Sequence, residues 1–207
     1  TILIHSTQSS FATNKLDIML NGSLLIQEKV VKYLGIFIDE QLTWSHHVNH
    51  ICSVLSRKIG VLRRASRVVT SKSLLNIYNT YILPSFDYGD TIWSVSNLFL
   101  KHKLQRLQNM AARIISNNFD YQNCRSLDII KKLKWFTTEQ RRIYRTNCLI
   151  FKCIHGLAPT YLTDQIIMSC DVHKYGTRQA LNSDRYVNKP KTNAAKKCLF
   201  YHGAKAW

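Results

Sequence analysis

The chain has 207 residues, with 29 Lys and Arg against 12 Asp and Glu, a formal net charge of +17. That balance excludes an acidic or neutral housekeeping domain. With 45% apolar and 20% charged residues the chain can still bury a core, so a disordered basic tail is excluded too. The length fits one large domain or two small ones, and seven Gly and three Pro leave few places for a flexible linker.

Lys and Arg that neutralise phosphates release condensed counterions, so nucleic acid is the expected partner of such a surplus. A membrane surface is the competing polyanion. No run approaches 18 apolar residues, and no basic amphipathic segment ends in an exposed aromatic anchor, so no membrane association is expected. Thr1-Ile2-Leu3-Ile4-His5 is too short and too little charged for a signal peptide, and there is no starting Met. A segment cut from a longer chain is therefore expected.

The charge is uneven. Residues 1–56 hold three bases (Lys15, Lys29, Lys32) against four acids (Asp17, Glu28, Asp39, Glu40), a net of −1, whereas residues 57–207 hold 26 bases and eight acids, a net of +18. The first block reads as β. Leu16-Asp17-Ile18-Met19-Leu20 and Ser23-Leu24-Leu25-Ile26 flank Asn21-Gly22, the dipeptide that best tolerates the positive φ angles of a two-residue hairpin turn. The stretch from Val30 to Ile38, rich in β-branched and aromatic residues, reads as one strand whose internal Gly35 marks a bulge or a close backbone approach; Asp39-Glu40-Gln41 ends it.

From Trp44 the period becomes helical. Val48, Ile51, Leu55, Ile59 and Leu62 fall on one face of a helix of about five turns, with Arg57, Arg64 and Arg67 on the opposite face. A second helix is predicted from Ser71 to Leu83, ended near Pro84. A third runs from Asn97 to Ser116, with Leu100, Leu104, Leu107, Ala111 and Ile114 spaced 4-3-4-3. Thr137 and Gln140 form a capping-box start for a fourth, which Gly156 caps, with Pro159 just beyond. Residues 171–198 show no clear period and read as loop, and the last segment, from Phe200 to Trp207, stops mid-pattern. There is no internal repeat.

Two-metal polymerase or nuclease chemistry needs converging carboxylates. Asp39-Glu40 is the sole adjacent acidic pair, and its surroundings read as a polar strand exit into a helix cap; Asp87 and Asp90 around Tyr88-Gly89 read as a turn with a local Asx bond. No Ser-His-Asp order, Walker loop or dinucleotide fingerprint is present. The six cysteines lack C-x-x-C spacing and read as reduced, buried thiols; Cys148, Cys153, Cys170 and His173 make only a weak zinc pattern, and His46, His47 and His50 lack the Glu of a metalloprotease helix. No catalytic and no metal-binding residue is expected. Binding is better supported, through guanidinium groups on a helix face and through bases interleaved with aromatics in Lys131-Lys132-Leu133-Lys134-Trp135-Phe136 and Arg142-Ile143-Tyr144-Arg145, whose rings either stack on unpaired bases or belong to the core.

The order of several strings resembles the reverse transcriptases of non-LTR retrotransposons of the jockey and CR1 type. They are Val31-Lys32-Tyr33-Leu34-Gly35-Ile36-Phe37-Ile38-Asp39 with Leu42-Thr43-Trp44 and His47-Val48; Tyr81-Ile82-Leu83-Pro84-Ser85-Phe86-Asp87-Tyr88-Gly89 with Trp93; and Leu104-Gln105-Arg106-Leu107-Gln108-Asn109 with Ala112-Arg113-Ile114-Ile115. His155-Gly156-Leu157-Ala158-Pro159-Thr160-Tyr161-Leu162 and Tyr201-His202-Gly203-Ala204-Lys205-Ala206-Trp207 are similar to the C-terminal region of those enzymes. The resemblance implies an α+β, mainly α chain: an end-of-palm antiparallel β segment over 1–43, a helical thumb-like bundle over 44–165 and a basic irregular extension over 166–207. It implies an RNA-directed DNA polymerase that needs Mg2+ when complete, acts on an RNA and DNA template-primer in the nucleus or cytoplasm, and has its catalytic aspartates upstream of the Tyr-Leu-Gly string. No aromatic-x-Asp-Asp turn occurs in this chain, so no catalytic residue and no cofactor is carried over, and the upstream palm and fingers are the expected partner. Tyr33, Leu34 and Gly35 are then expected near the primer end. Arg57, Lys58, Arg63, Arg64, Arg67, Arg106, Arg113, Arg141, Arg142 and Arg145 are expected near the nucleic-acid backbone. The alternative is a stand-alone basic helical nucleic-acid-binding protein derived from a decayed element.

Overall fold

The computed structural model describes residues 19–24, 28–93, 97–166 and Tyr201. Asn21 and Gly22, both at positive φ, close a hairpin between β1 (Met19–Leu20) and β2 (Ser23–Leu24), as the dipeptide predicts; residues 16–18 and 25–26 of the expected strands lie outside the described residues. The expected single strand over 30–38 is instead a second antiparallel hairpin, β3 (Val30–Tyr33) and β4 (Ile36–Asp39), with Tyr33 opposite Ile36. Leu34 at φ 46° and Gly35 at φ 82° make a two-residue turn where a bulge or a close backbone approach was expected. Local sequence misleads here because Leu rarely enters the left-handed region.

The described fold is α+β and mainly α. β4 leads through a tight loop into α1 (Ser45–Ala65), whose predicted apolar face of Val48, Ile51, Leu55, Ile59 and Leu62 is buried throughout. Asp39 builds the entry: its carboxylate accepts from the backbone N–H groups of Thr43 and Trp44, both at 2.8 Å, which compensates for Leu42 and Trp44 sitting at positive φ.

The second helix does not stop at Pro84. α2 (Ser71–Ile77), capped by Thr70, continues through a π-helical turn (Tyr78–Ile82) into α3 (Leu83–Asp87). Pro84 has no N–H to give and its ring would meet the Thr80 carbonyl in an α-helix. The wider turn, closed by Leu83 N–H onto the Tyr78 carbonyl, avoids that clash and keeps Tyr78, Ile82 and Phe86 in the core. α4 (Leu98–Ser116), capped by Asn97, lays Leu100, Leu104, Ala111 and Ile114 against α1. The short α5 (Ser126–Lys132) is not anticipated by periodicity, since seven residues carry under two turns of pattern.

α6 (Thr138–Ile154) starts at the predicted reciprocal Thr137–Gln140 capping box and ends where Gly156, at φ 65°, lets Leu157 N–H reach the Lys152 carbonyl at 2.8 Å. Gln105 on α4 accepts from both Thr138 N–H and its hydroxyl at 3.0 Å, and buried Gln108 donates to the Phe136 carbonyl at 2.8 Å, so two glutamines fix the start of α6 on α4. α7 (Thr160–Thr163) follows Pro159.

Candidate nucleic-acid interface

The Leu34-Gly35 turn is braced from outside its own hairpin. Tyr88, just beyond α3, donates its hydroxyl to the Leu34 carbonyl at 2.6 Å and lays its ring against Gly35. Tyr88 is itself held, because its carbonyl accepts from the indole N–H of buried Trp93 at 3.0 Å. A Cβ on Gly89 would lie 2.7 Å from the end of the Ile36 side chain, so the loop packs closely onto β4, and its φ of 62° favours glycine there. Tyr33 and Leu34 remain exposed, Leu34 at 73%.

The same segment carries Asp87 and Asp90; the expected turn is present, with Asp90 N–H on the Asp87 carbonyl at 3.3 Å, but the carboxylates take distant arginines in place of the expected local Asx bond. Asp87 takes a bidentate pair from Arg141 on α6, Nε to Oδ1 at 2.5 Å and Nη2 to Oδ2 at 2.6 Å, and Asp90 accepts from Arg145 Nε at 3.0 Å. Arg142 is half-buried with its guanidinium over the Trp93 ring at 4.8 Å. Burial pushes the Asp90 carboxyl above the usual carboxylate range, with Arg145 opposing the shift, and burial pulls Arg142 below its ordinary value. The Arg–Asp pairs, 54 and 55 residues apart in sequence, satisfy the carboxylates better than a local turn does.

The ten predicted backbone-contacting cations divide into two groups. Lys58 donates to the Tyr81 carbonyl and the Ser85 hydroxyl, both at 2.7 Å. Arg113 is buried and donates to the carbonyls of Asn118, Asp120 and Cys124 and to the Ser126 hydroxyl, with Tyr121 stacked on its guanidinium at 4.2 Å. With Arg141, Arg142 and Arg145 these are engaged inside the protein. Arg57, Arg63, Arg64, Arg67 and Arg106 are exposed, and among the described residues none has a carboxylate within ion-pair distance. Four of the five lie on α1 or directly beyond it, Arg57 and Arg64 on the side opposite its buried face and Arg63 on its flank.

Mg2+ requires carboxylates that converge free of cations. Asp39, Asp87 and Asp90 do not fit it, since the Asp39 oxygens accept from Thr43 and Trp44 and the other two face guanidinium groups, and among the described residues no three His, Cys, Asp or Glu side chains converge to hold a metal ion. Cys170 and His173 of the weak zinc pattern lie outside the described residues. His47 is buried on α1; its Nδ1 accepts from Phe37 N–H at 3.3 Å, and burial, with a smaller contribution from His50, holds its pKa down to about 4. The Cys52 and Cys153 thiols are buried and shifted upward by that burial. Among the described residues no helix is long and apolar enough to cross a membrane.

What this geometry defines is a basic helical bundle joined to a small braced hairpin, with exposed guanidinium groups that, among the described residues, have no carboxylate partner. Over 94 residues, 44% of the chain, it is 33% identical to a probable RNA-directed DNA polymerase from transposon X-element of Drosophila melanogaster, covering 10% of that protein. Over 117 residues, 54% of the chain, it is 28% identical to the RNA-directed DNA polymerase from mobile element jockey of the same species, covering 12%. It is also 29% identical over 103 residues to a probable RNA-directed DNA polymerase from transposon BS. No family model matches, and no solved structure matches. Over about half of its length the chain is thus similar to RNA-directed DNA polymerases of mobile elements, and its matched part spans about a tenth of the length of these curated relatives.

Proposed function

We propose that this chain is the palm-end and thumb part of an RNA-directed DNA polymerase, and that it grips template-primer without contributing a catalytic carboxylate. The braced Tyr33-Leu34-Gly35 turn sits at the primer end, and the guanidinium row of α1 lies along the nucleic-acid backbone. The observation that carries this reading is that row. Arg63 and Arg64 in the last turn of α1 have a local reason to be there, because cations favour the C-terminal end of a helix dipole. Arg57 has none, and it stands two turns, about 10 Å, from Arg64 on the same face. Unpaired like charges repel unless an anion lies between them, and a phosphate chain supplies that anion. Relatedness to polymerases of mobile elements supports the same partner.

The test is salt-dependent binding of the 207-residue chain to an RNA–DNA hybrid, read by fluorescence anisotropy. The expected affinity falls steeply with salt, and replacing Arg57 and Arg64 by Gln lowers the slope of log affinity against log salt by about 2. Absence of binding at low salt, or a slope that the double variant leaves unchanged, would overturn the reading.

A further inference from the structure

We propose a second nucleic-acid surface, at the corner between α5 and α6, that stacks unpaired bases of a single strand. It does not depend on the duplex-gripping role of α1. Adjacent residues Trp135 and Phe136 turn opposite ways. Trp135 stacks on buried Tyr78 with centroids 4.0 Å apart and planes 12° from parallel, which anchors the segment inward. Phe136, its carbonyl held by Gln108, turns outward and stacks on Tyr144 of α6 at 5.8 Å and 25°. Phe136 is 52% exposed and Tyr144 57% exposed, so the pair presents its outer faces to solvent.

The charge around the pair selects the occupant. Lys131, Lys132 and Lys134 are exposed, and among the described residues none has a carboxylate within ion-pair distance. Lys131 and Lys132 end α5, where the helix dipole favours them, but Lys134 lies beyond it at φ 56°. The acids nearest in sequence are Asp128 and Glu139, and Glu139 is already paired with Lys101 at 2.6 Å. An aromatic pair preceded within five residues of Phe136 by three exposed lysines repels a second basic copy of this chain and suits a polyanion. Duplex bases are covered by pairing and stacking, whereas unpaired bases offer faces to an aromatic platform and phosphates to the lysines, whatever the sequence.

The experiment measures anisotropy of a labelled 12-nucleotide oligo(U) and of a blunt RNA–DNA hybrid with the same 207-residue chain and its variants. Phe136→Ala and Tyr144→Ala are expected to weaken oligo(U) binding about 5- to 10-fold each while duplex affinity changes less than about twofold. Tyr144→Phe, which keeps the ring, is expected to bind oligo(U) like the parent. Arg57→Gln with Arg64→Gln is expected to do the reverse, weakening duplex and sparing oligo(U), so failure of one surface is distinguishable from failure of the other. Should the alanine variants misfold, the exposed Lys131→Gln, Lys132→Gln, Lys134→Gln triple reads the same surface and is expected to lower the salt slope for oligo(U). The proposal is overturned if oligo(U) affinity is unchanged in the folded alanine variants or the triple, or if duplex and oligo(U) fall together. It is equally overturned if Phe136→Ala converts a dimer to a monomer without changing oligo(U) affinity, since the pair then serves a second copy.

Discussion

Tyr88 and Leu34 are 54 residues apart, and the Tyr88 hydroxyl meets the Leu34 carbonyl at 2.6 Å. The bond joins the tip of the β3–β4 hairpin to the end of α3 and secures a turn whose first residue is a leucine in the left-handed region. Tyr88→Phe removes the bond and keeps the ring against Gly35. The expected cost is about 1 kcal/mol in urea unfolding, with faster amide exchange confined to 33–36. Unchanged exchange in that turn would show that the hairpin holds its tip without help.

Asp87 and Arg141 form a partly buried bidentate pair, with Arg141 side-chain exposure of 30%. Asp87→Asn is expected to cost about 2 kcal/mol, because it leaves Arg141 short of its counter-charge and weakens the 3.6 Å contact with Arg145 as well. A double-mutant cycle with Arg141→Met is expected to return a coupling of about 1–3 kcal/mol. Additive losses would show that the two side chains meet without mutual stabilisation.

His47 sets a pH dependence. Its folded pKa of about 4 lies below the ordinary 6.5, so between these values the unfolded chain binds the proton and the folded chain does not. This contribution to stability is complete above pH 6.5 and is lost as pH falls toward 4. The loss is roughly 2–3 kcal/mol, with the smaller figure allowing for solvent screening. His47→Asn, which keeps an acceptor for Phe37 N–H, is expected to be less stable at every pH yet to lack that slope. Equal slopes in thermal melts of the two proteins would assign the dependence to another group.

Arg113 donates to four acceptors that line the segment between α4 and α5, and lysine cannot reach all of them. Arg113→Lys is expected to cost about 2–4 kcal/mol while the folded variant binds an RNA–DNA hybrid with parental affinity and salt slope. A drop in the slope by about 1 would instead place this guanidinium on a phosphate.

Sequence by itself determined whatever depends on near neighbours. The 3.6-residue period located α1, α4 and α6 because a helix repeats its buried face locally, and Thr137 with Gln140, Gly156 and Asn21-Gly22 marked ends and turns because their side chains or φ angles act within a few residues. Ordered strings likewise pointed to mobile-element polymerases, to which the chain is similar over about half its length.

Tertiary structure alone decided which charges are free. Arg57 and Arg141 look alike on a helical wheel, but α6 crosses the end of α3 and delivers Arg141 to Asp87, whereas Arg57 stays exposed and, among the described residues, has no carboxylate within ion-pair distance. It also decided that Trp135 turns in and Phe136 out, that a π turn carries the helix past Pro84, and that Leu34 accepts a left-handed turn because Tyr88 holds its carbonyl. Each of these outcomes rests on a partner dozens of residues away or on a core that only the folded chain assembles. Local propensity carries no term for either.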